Sequence, residues 1–425
     1  MMEYKDFLEK LYQRYSGNIK LGLQRMYQIL AAMDNPHTKL QGLHIAGTNG
    51  KGSTCAMLEA LCLANNLTTG LNTSPHLVNY TERFRINGIT LNYETIYKEY
   101  QKWERTFTMT DASFFEITTA IAFRLFLDNK VDTSIFEVGL GGRLDGTNPF
   151  QSTVTAITSI SIDHKKTLGD SIELIAAEKA GIIKKNVPIV ISKLKASAKE
   201  VILKVAEEKF APTYIYDQDY FVTNVRLTDH GTMFDYSLPE LNIDFKNMTV
   251  NLLGEHQSLN AGVALTSFLI YLQIRGISIN EKLIRKGLAQ VTWSGRMQII
   301  NLQPLTILDG AHNDAGMEFL IENINRIFPN RKKRFVLGIL QDKPFKEMIQ
   351  MASKIAAKLY LCQSHSQRAA DVDLLAEVAE SLNLDFEKIP DVYEAYQKAV
   401  KDADNDDIII IGGSLYTISE VLAKL

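Results

Sequence analysis

The run Leu43-His44-Ile45-Ala46-Gly47-Thr48-Asn49-Gly50-Lys51-Gly52-Ser53-Thr54 concentrates chemistry in this 425-residue chain. An apolar stretch stops at a glycine turn that carries a lysine and hydroxyls, and a helical stretch from Cys55 follows. Glycines let successive backbone N–H groups converge on an anion. A helix N-terminus adds its dipole, and lysine adds a point charge. The run therefore points to the phosphates of ATP or GTP. It departs from the usual G-x-x-x-x-G-K-[ST] spacing. Ile45 stands where the first glycine would be, Gly52 follows Lys51, and the hydroxyl has moved to Ser53. The bland alternative is a glycine-rich turn that binds nothing. A standard GTPase reads poorly from a loop shortened in this way.

Four further constellations stand apart. Glu137 closes the run Ile135-Phe136-Glu137 and opens Val138-Gly139-Leu140-Gly141-Gly142-Arg143-Leu144-Asp145-Gly146-Thr147-Asn148. Ligands of open α/β sheets bind at the carboxyl ends of strands. A carboxylate there suits Mg²⁺, which prefers oxygen ligands; an ion pair with Arg143 is the structural alternative. The run Ser159-Ile160-Ser161-Ile162-Asp163-His164 also ends an apolar stretch. His164 there reads as a metal ligand, a phosphate contact or a structural hydrogen bonder. Lys179, among small residues on a helix, reads by itself as a solvent-facing lysine. Finally, Asp309-Gly310-Ala311-His312-Asn313 opens a helix. Asp309 and His312 can face a cleft there, while Asn313 can be only the helix cap.

These groups need elements to hold them. Strands are expected at 43–46, 133–138, 154–160, 188–191, 304–308, 335–338, 359–361 and 407–411. Most are continuous apolar runs, the mark of parallel strands covered on both faces. Helices are expected at 115–128, 171–183, 198–209, 256–273, 281–289, 315–327 and 345–357. Between 214 and 251 the texture changes to alternating strands at 220–226, 232–238 and 243–250, a β excursion at the edge of the first domain. The βα rhythm restarts after Trp293-Ser294-Gly295-Arg296. The expected architecture is α/β in two domains. Residues 1–295 form a P-loop-type, mostly parallel sheet domain with the small β excursion, and 296–425 form a smaller Rossmann-like α/β domain.

Composition is that of a globular chain, with 46% hydrophobic and 22% charged residues. A net charge of −3 leaves no electrostatic footprint for nucleic acid or a membrane surface. The basic run Arg331-Lys332-Lys333-Arg334 reads as a solvated loop. Three cysteines, Cys55, Cys62 and Cys362, offer neither a disulfide framework nor metal spacing. The stretch from Met1 to Arg14 is charged and amphipathic, unlike a signal peptide, and no apolar run approaches the ~20 residues of a membrane span. A cytoplasmic, monomeric protein acting on small molecules is expected.

The motifs together resemble the folylpolyglutamate synthase/dihydrofolate synthase family of the Mur ligase superfamily. The resemblance runs from the loop at Gly47 through Thr73-Ser74-Pro75-His76-Leu77, Glu82-Arg83-Phe84-Arg85-Ile86-Asn87-Gly88 and the run 136–148. It continues through Asp163-His164, Leu168-Gly169, Ile175-Ala176 and Glu178-Lys179-Ala180-Gly181-Ile182 to Gly412-Gly413-Ser414-Leu415-Tyr416. Asp170-Ser171 stands where the family favours a small residue and threonine. The resemblance implies an ATP- and Mg²⁺-dependent ligase that adds L-glutamate to a folate or to dihydropteroate.

It also implies roles. Asn49, Gly50, Lys51, Gly52 and Ser53 would hold the ATP phosphates, and Ser74, Glu137 and His164 would coordinate magnesium. Lys179 would be the carbamylated lysine of the superfamily, against its solvent-facing reading. Asn260 would lie on the adenine side, and Arg296 and Asp309 would reach ATP. His312 would lie near glutamate, and Phe114, Phe115, Glu116 and Thr118 would border the folate pocket. Domain closure would then exclude water from an acyl phosphate. Two rivals are a kinase that stops at a phosphorylated product and an ATP-gated binding module.

Overall fold

The computed structural model describes residues 4–14 and 22–425. It divides into two compact units. The first carries the chain to 224, then 234–250 and 258–291; the second carries 225–233, 251–257 and 292–425.

The strands of the first sheet are β1 (Gly42–Ala46), β2 (Thr69–Asn72), β3 (Phe84–Ile86), β4 (Ile89–Thr90), β5 (Thr133–Glu137), β6 (Val154–Ile157), β7 (Ile189–Ile191) and β8 (Thr213–Ile215). Their order is β4-β3-β2-β5-β1-β6-β7-β8. From β2 to β8 the neighbours are parallel, and β3 and β4 add an antiparallel edge. β1, β5 and β6 are buried at every position, as central strands of a parallel sheet covered on both faces are.

The chain leaves β1 for β2 on one side and later returns to β6 on the other. β1 is therefore the point where strand order reverses, and the crevice at its carboxyl end is where such sheets bind ligands. Register aligns the ends: Ile45 pairs with Glu137, Ala46 with Ile157, and Asn72 with Phe136. The helix Phe114–Asp128 covers one face, and its Phe123 and Phe126 pack on Phe136 at 4.4 and 5.3 Å between ring centroids. A second cluster joins Ile157, Ile189 and Ile191 to Ile175, Ala180 and Ile202 from the helices Ile172–Ala180 and Ala196–Glu208.

The excursion is a three-stranded sheet of β9 (Phe221–Thr228), β10 (Gly231–Leu238) and β11 (Ile243–Val250), in the order β11-β10-β9. The sheet of the second unit contains β12 (Gln298–Leu302), β13 (Leu305–Leu308), β14 (Lys333–Leu337), β15 (Ala356–Leu361), β16 (Phe386–Lys388) and β17 (Ile408–Gly412). Its order is β12-β13-β17-β14-β15-β16, parallel except for β12. Ile307, Phe335, Leu337, Leu359 and Ile410 pack there with Leu320, Ile324, Met348 and Leu375 from its helices.

Some expectations need correction. The strand expected at 154–160 stops at Ile157, because the following residues turn to grip a loop. The helix expected at 345–357 ends at Ser353, and β15 begins at Ala356. The basic run is not a solvated loop in its second half. Lys333 is buried in β14 and donates to Pro329 O at 3.0 Å, and Arg334 pairs with Asp407 at 2.7 Å. Cys55, Cys62 and Cys362 are unpaired and fully buried, and burial pushes their thiols up, Cys62 to about 12.

Gly42 tests the β1–β5 register. A Cβ there would lie 1.8 Å from Ser134 O, and φ is +151°. Gly42→Ala should cost about 3 kcal/mol or more and lower the first thermal unfolding transition. An unchanged midpoint would contradict this pairing.

Candidate active site

The loop after β1 starts the site. Gly50 (φ +87°) caps the helix Lys51–Ala64, a backbone state open to glycine. A Cβ on Gly47 would fall 2.0 Å from Thr158 Oγ1, and one on Gly50 would fall 2.3 Å from Asn260 Oδ1. The residues just past β6 hold the loop. Thr48 N donates to Ser159 O at 2.7 Å. Ser159 Oγ accepts from Asn49 N and donates to Asn49 O, both at 2.9 Å, while Thr158 Oγ1 donates to Asn49 O at 2.7 Å. The sequence motifs do not single out Thr158 and Ser159 as holders of this loop; hydroxyls directly after an apolar strand are the signal that could have found them.

Two lysines converge on one carbonyl. Gly47 O accepts from Lys51 Nζ at 3.1 Å and from Lys179 Nζ at 2.8 Å. Lys51 also donates to Thr48 O at 3.1 Å. Lys179 does not face solvent; it is buried, 4% exposed. Burial first, and the like charge of Lys51 second, push its ammonium down to about 7. A buried amine near neutrality is a nucleophile, which is the state that reacts with carbon dioxide to give a carbamate.

Glu137 closes β5, and its Oε2 accepts from Ser74 N at 3.0 Å. Arg143 pairs with Glu178 instead, at 2.6 Å, so the suggested Glu137–Arg143 pair does not form. His164 is exposed with φ +51°, and its Nε2 lies 4.0 Å from Asp163 Oδ2. Among the described residues, no three His, Cys, Asp or Glu side chains form a self-contained metal group. The expected donors, oxygens of Glu137 and Ser74 with the His164 ring nitrogen, are few, which fits an ion that keeps waters and takes the remaining ligands from phosphate oxygens.

The glycine-rich turn owes its glycines to packing. Cβ atoms at Gly139 and Gly146 would come 2.5 and 3.2 Å from the Phe115 ring. Asp145 braces the turn from inside, accepting from Leu140 N at 2.8 Å and Thr147 N at 3.0 Å. Thr147 Oγ1 in turn meets His44 Nε2 at 2.8 Å.

The residues expected at a folate pocket divide. Phe114 is buried, stacks on Tyr12 at 5.3 Å and carries the Arg83 guanidinium at 5.0 Å. Thr118 is buried, donates to Phe114 O at 2.8 Å and meets Tyr80 OH at 3.0 Å. Glu116 has a structural role, completing a capping box with Ser113 and accepting from Arg25 Nε at 3.1 Å. Beside them His76 Nδ1 accepts from Arg83 Nε at 2.8 Å, so Nε2 carries the proton and donates to Tyr12 OH at 3.1 Å, and burial and Arg83 push the imidazole down to about 3.

In the second unit, Asp309 follows β13 and is buried, with both oxygens taken by backbone donors. Oδ2 accepts from Met297 N at 2.9 Å and Oδ1 from Ala311 N at 2.8 Å. Burial pushes its pKa up, opposed by Arg296. Gly310 makes the close approach possible, since its Cβ would lie 2.6 Å from Arg296 Nη1. His312 Nδ1 sits 2.9 Å from Gly310 O. A carbonyl can only accept, so Nδ1 carries the proton and Nε2 is the basic nitrogen of the neutral ring. Asn313 is the cap of the helix Asp314–Ile327, accepting from Gly316 N at 2.8 Å.

Comparison with known proteins shows the family. The Mur ligase middle domain matches residues 45–268, and the Mur ligase glutamate ligase domain matches 295–415. A dihydrofolate synthase/folylpolyglutamate synthase of Bacillus subtilis is 34% identical over 99% of this chain and 99% of its own length. The folylpolyglutamate synthase of Mycobacterium tuberculosis complexed with ADP superposes with a TM-score of 0.91 at 30% identity, over 99% of this chain and 97% of that one. The bifunctional folylpolyglutamate synthase/dihydrofolate synthase of Yersinia pestis, complexed with AMPPNP and Mn ion, gives a TM-score of 0.87 at 32% identity, over 99% and 97%.

Burial of Lys179 has a consequence for stability. Below about pH 7 the group is charged whether folded or unfolded, and the folded state bears the whole burial cost. Between about 7 and its ordinary 10.5 the unfolded chain binds more protons, so stability rises with pH. In carbon-dioxide-depleted buffer, Lys179→Met should therefore raise the melting midpoint most below about pH 7. The gain should shrink toward about pH 10; thermal unfolding across that range would expose a pH-independent gain, which this account forbids.

Proposed function

The chain belongs to the folylpolyglutamate synthase/dihydrofolate synthase family of Mur ligases, ATP-dependent amide-forming enzymes, and we propose that it adds L-glutamate to the γ-carboxylate of folates through an acyl phosphate. The observation that carries this reading is the pair of lysines on Gly47 O at the carboxyl end of β1. Membership of a ligase family disfavours both the kinase and the binding-module readings.

A carboxylate is a poor electrophile, so it must be activated. One folate carboxylate oxygen attacks the γ-phosphorus of ATP, the bond to the β-bridging oxygen breaks, and ADP leaves. Charge builds on phosphoryl oxygens, and fixed cations stabilise it. Lys51 leaves its own loop carbonyls to meet the terminal phosphates, with Asn49, Gly50, Gly52 and Ser53 lining the anion site and Asn260 on the adenine side. Magnesium, held by Glu137 with Ser74 and His164, supplies further positive charge when bound. Lys179, carbamylated, would turn a buried cation into an anion.

The glutamate amine then attacks the acyl carbon, and phosphate departs as the amide forms. His312 Nε2 is the acceptor for the amine proton. Asp309, with both oxygens on backbone N–H groups, orients rather than shuttles protons, and Arg296 assists the phosphoryl charge. Phe114, Phe115 and Thr118 border the pterin. A second reading, a bifunctional enzyme that also joins glutamate to dihydropteroate, draws support from the names of the Bacillus subtilis and Yersinia pestis relatives.

The test is phosphate release from ATP with magnesium and glutamate, offering tetrahydrofolate or dihydropteroate, with amide products confirmed by mass. Release with tetrahydrofolate alone identifies a dedicated polyglutamate synthase, release with both a bifunctional one, and release with neither overturns the proposal. Lys51→Ala should lower kcat by at least about 10³-fold while circular dichroism stays unchanged. Near-normal turnover by a folded variant would remove Lys51 from the phosphate site.

A further inference from the structure

The helix that carries Lys179 closes on short local bonds, Gly181 N to Glu178 O at 3.3 Å and Ile182 N to Lys179 O at 3.2 Å. The last carbonyls of a helix have no partner inside it and must find one elsewhere. Here the glycine-rich turn adds two further bonds at this end. Glu178 O accepts from Arg143 N at 2.7 Å, and Gly181 O accepts from Asn148 Nδ2 at 3.1 Å. The same Nδ2 donates to Arg143 O at 2.9 Å. The approach is close on both sides. A Cβ on Gly142 would lie 2.7 Å from Glu178 O, and one on Gly181 would lie 2.3 Å from Arg143 Cβ.

Asn148 does this only if its amide points the right way, since its oxygen and nitrogen are nearly the same shape. Lys184 settles the orientation. Its Nζ donates to Asn148 O and Oδ1, both at 2.6 Å. An ammonium has donors and no acceptor, so the amide oxygen must face it and the NH₂ must face Arg143 O and Gly181 O.

We propose that Asn148 and Lys184 are positioning residues for the reaction. Asn148 ties the glycine-rich turn to the end of the Lys179 helix, and Lys184 fixes the Asn148 amide. Lys179 Nζ is thereby placed on Gly47 O. This rests on the reading that Lys179 takes part in catalysis. Loss of Lys184 leaves the amide free to flip, which sets an oxygen against carbonyls and lets the helix end shift.

The experiment compares Lys184→Met, Lys184→Arg and Asn148→Ala with the full-length enzyme, each checked by circular dichroism. Steady-state kinetics are read beside the NMR resonance of Lys179 in protein labelled at lysine Cε, assigned by Lys179→Arg. Lys184→Met and Asn148→Ala should lower kcat at least about tenfold with KM for ATP and folate within about twofold, and should shift the Lys179 resonance. Lys184→Arg, which keeps the charge and donors, should recover part of both. If Lys184→Met does not fold, Asn148→Ala and Lys184→Arg carry the same comparison. Unchanged kcat, or a fall in kcat with the Lys179 resonance unmoved, overturns the proposal. Lys179→Met with normal turnover would instead sink the catalytic reading of Lys179, a result visible apart from any shift caused at position 184.

Discussion

The carbonyl oxygen of Gly47 accepts from two ammonium groups, and much of the first unit exists to make that possible. Two like charges around one acceptor repel, and the repulsion grows as water is removed. The protein resolves this by asymmetry. Lys179 is buried and driven toward its neutral form, while Lys51 sits in the first turn of its helix and keeps a second carbonyl. The reversal of strand order at β1 brings the two together, because the loop after β1 then lies between groups arriving from both sides of the sheet. The hydroxyls after β6 hold that loop open in a shape with few internal hydrogen bonds of its own.

The second unit applies the same economy to a carboxylate. Asp309 is buried at a strand end, where an ionised group is costly unless it is fully bonded. Two backbone N–H groups and the nearby Arg296 guanidinium meet that need. A carboxylate so engaged is poorly suited to carry protons and well suited to fix the backbone of residues 309–311. That backbone presents Gly310 O to His312 and so selects the ring's tautomer.

Much of this is legible in the residue order. Glycine, lysine and acid groups at the ends of apolar runs mark the loops, because strands buried on both faces carry so few polar residues that the exceptions stand out. What pairs with what is not legible. Arg143 is six residues from Glu137 in the chain, yet it pairs with Glu178, since the turn folds onto the end of the helix Ile172–Ala180, where Glu178 O also accepts from Arg143 N. Lys179 reads as exposed because a helical period with small residues does not say which neighbour covers it. The helices Tyr4–Gln13, Gln24–Ala32 and Tyr93–Met109 escape a reading of the sequence for a related reason. They are rich in polar and aromatic residues, and their Phe7, Met26, Ile29, Ile96 and Phe107 become core by joining one cluster with Tyr80, Phe84 and the helix Phe114–Asp128.

The run of glycines between Gly139 and Gly146 shows why a motif must be read with its surroundings. A glycine-rich turn after a strand suggests a phosphate cradle, and the first loop is one on that logic. In the second turn, Gly139 and Gly146 give way to the Phe115 ring, and Gly142 gives way to carbonyls of the Lys179 helix. Their missing side chains admit protein rather than ligand. In the first loop too, Gly47 and Gly50 make room for protein, for Thr158 and Asn260, while the other turn seats an aromatic ring and a helix end. What they have in common is an outcome, since each fixes the position of one lysine relative to Gly47 O.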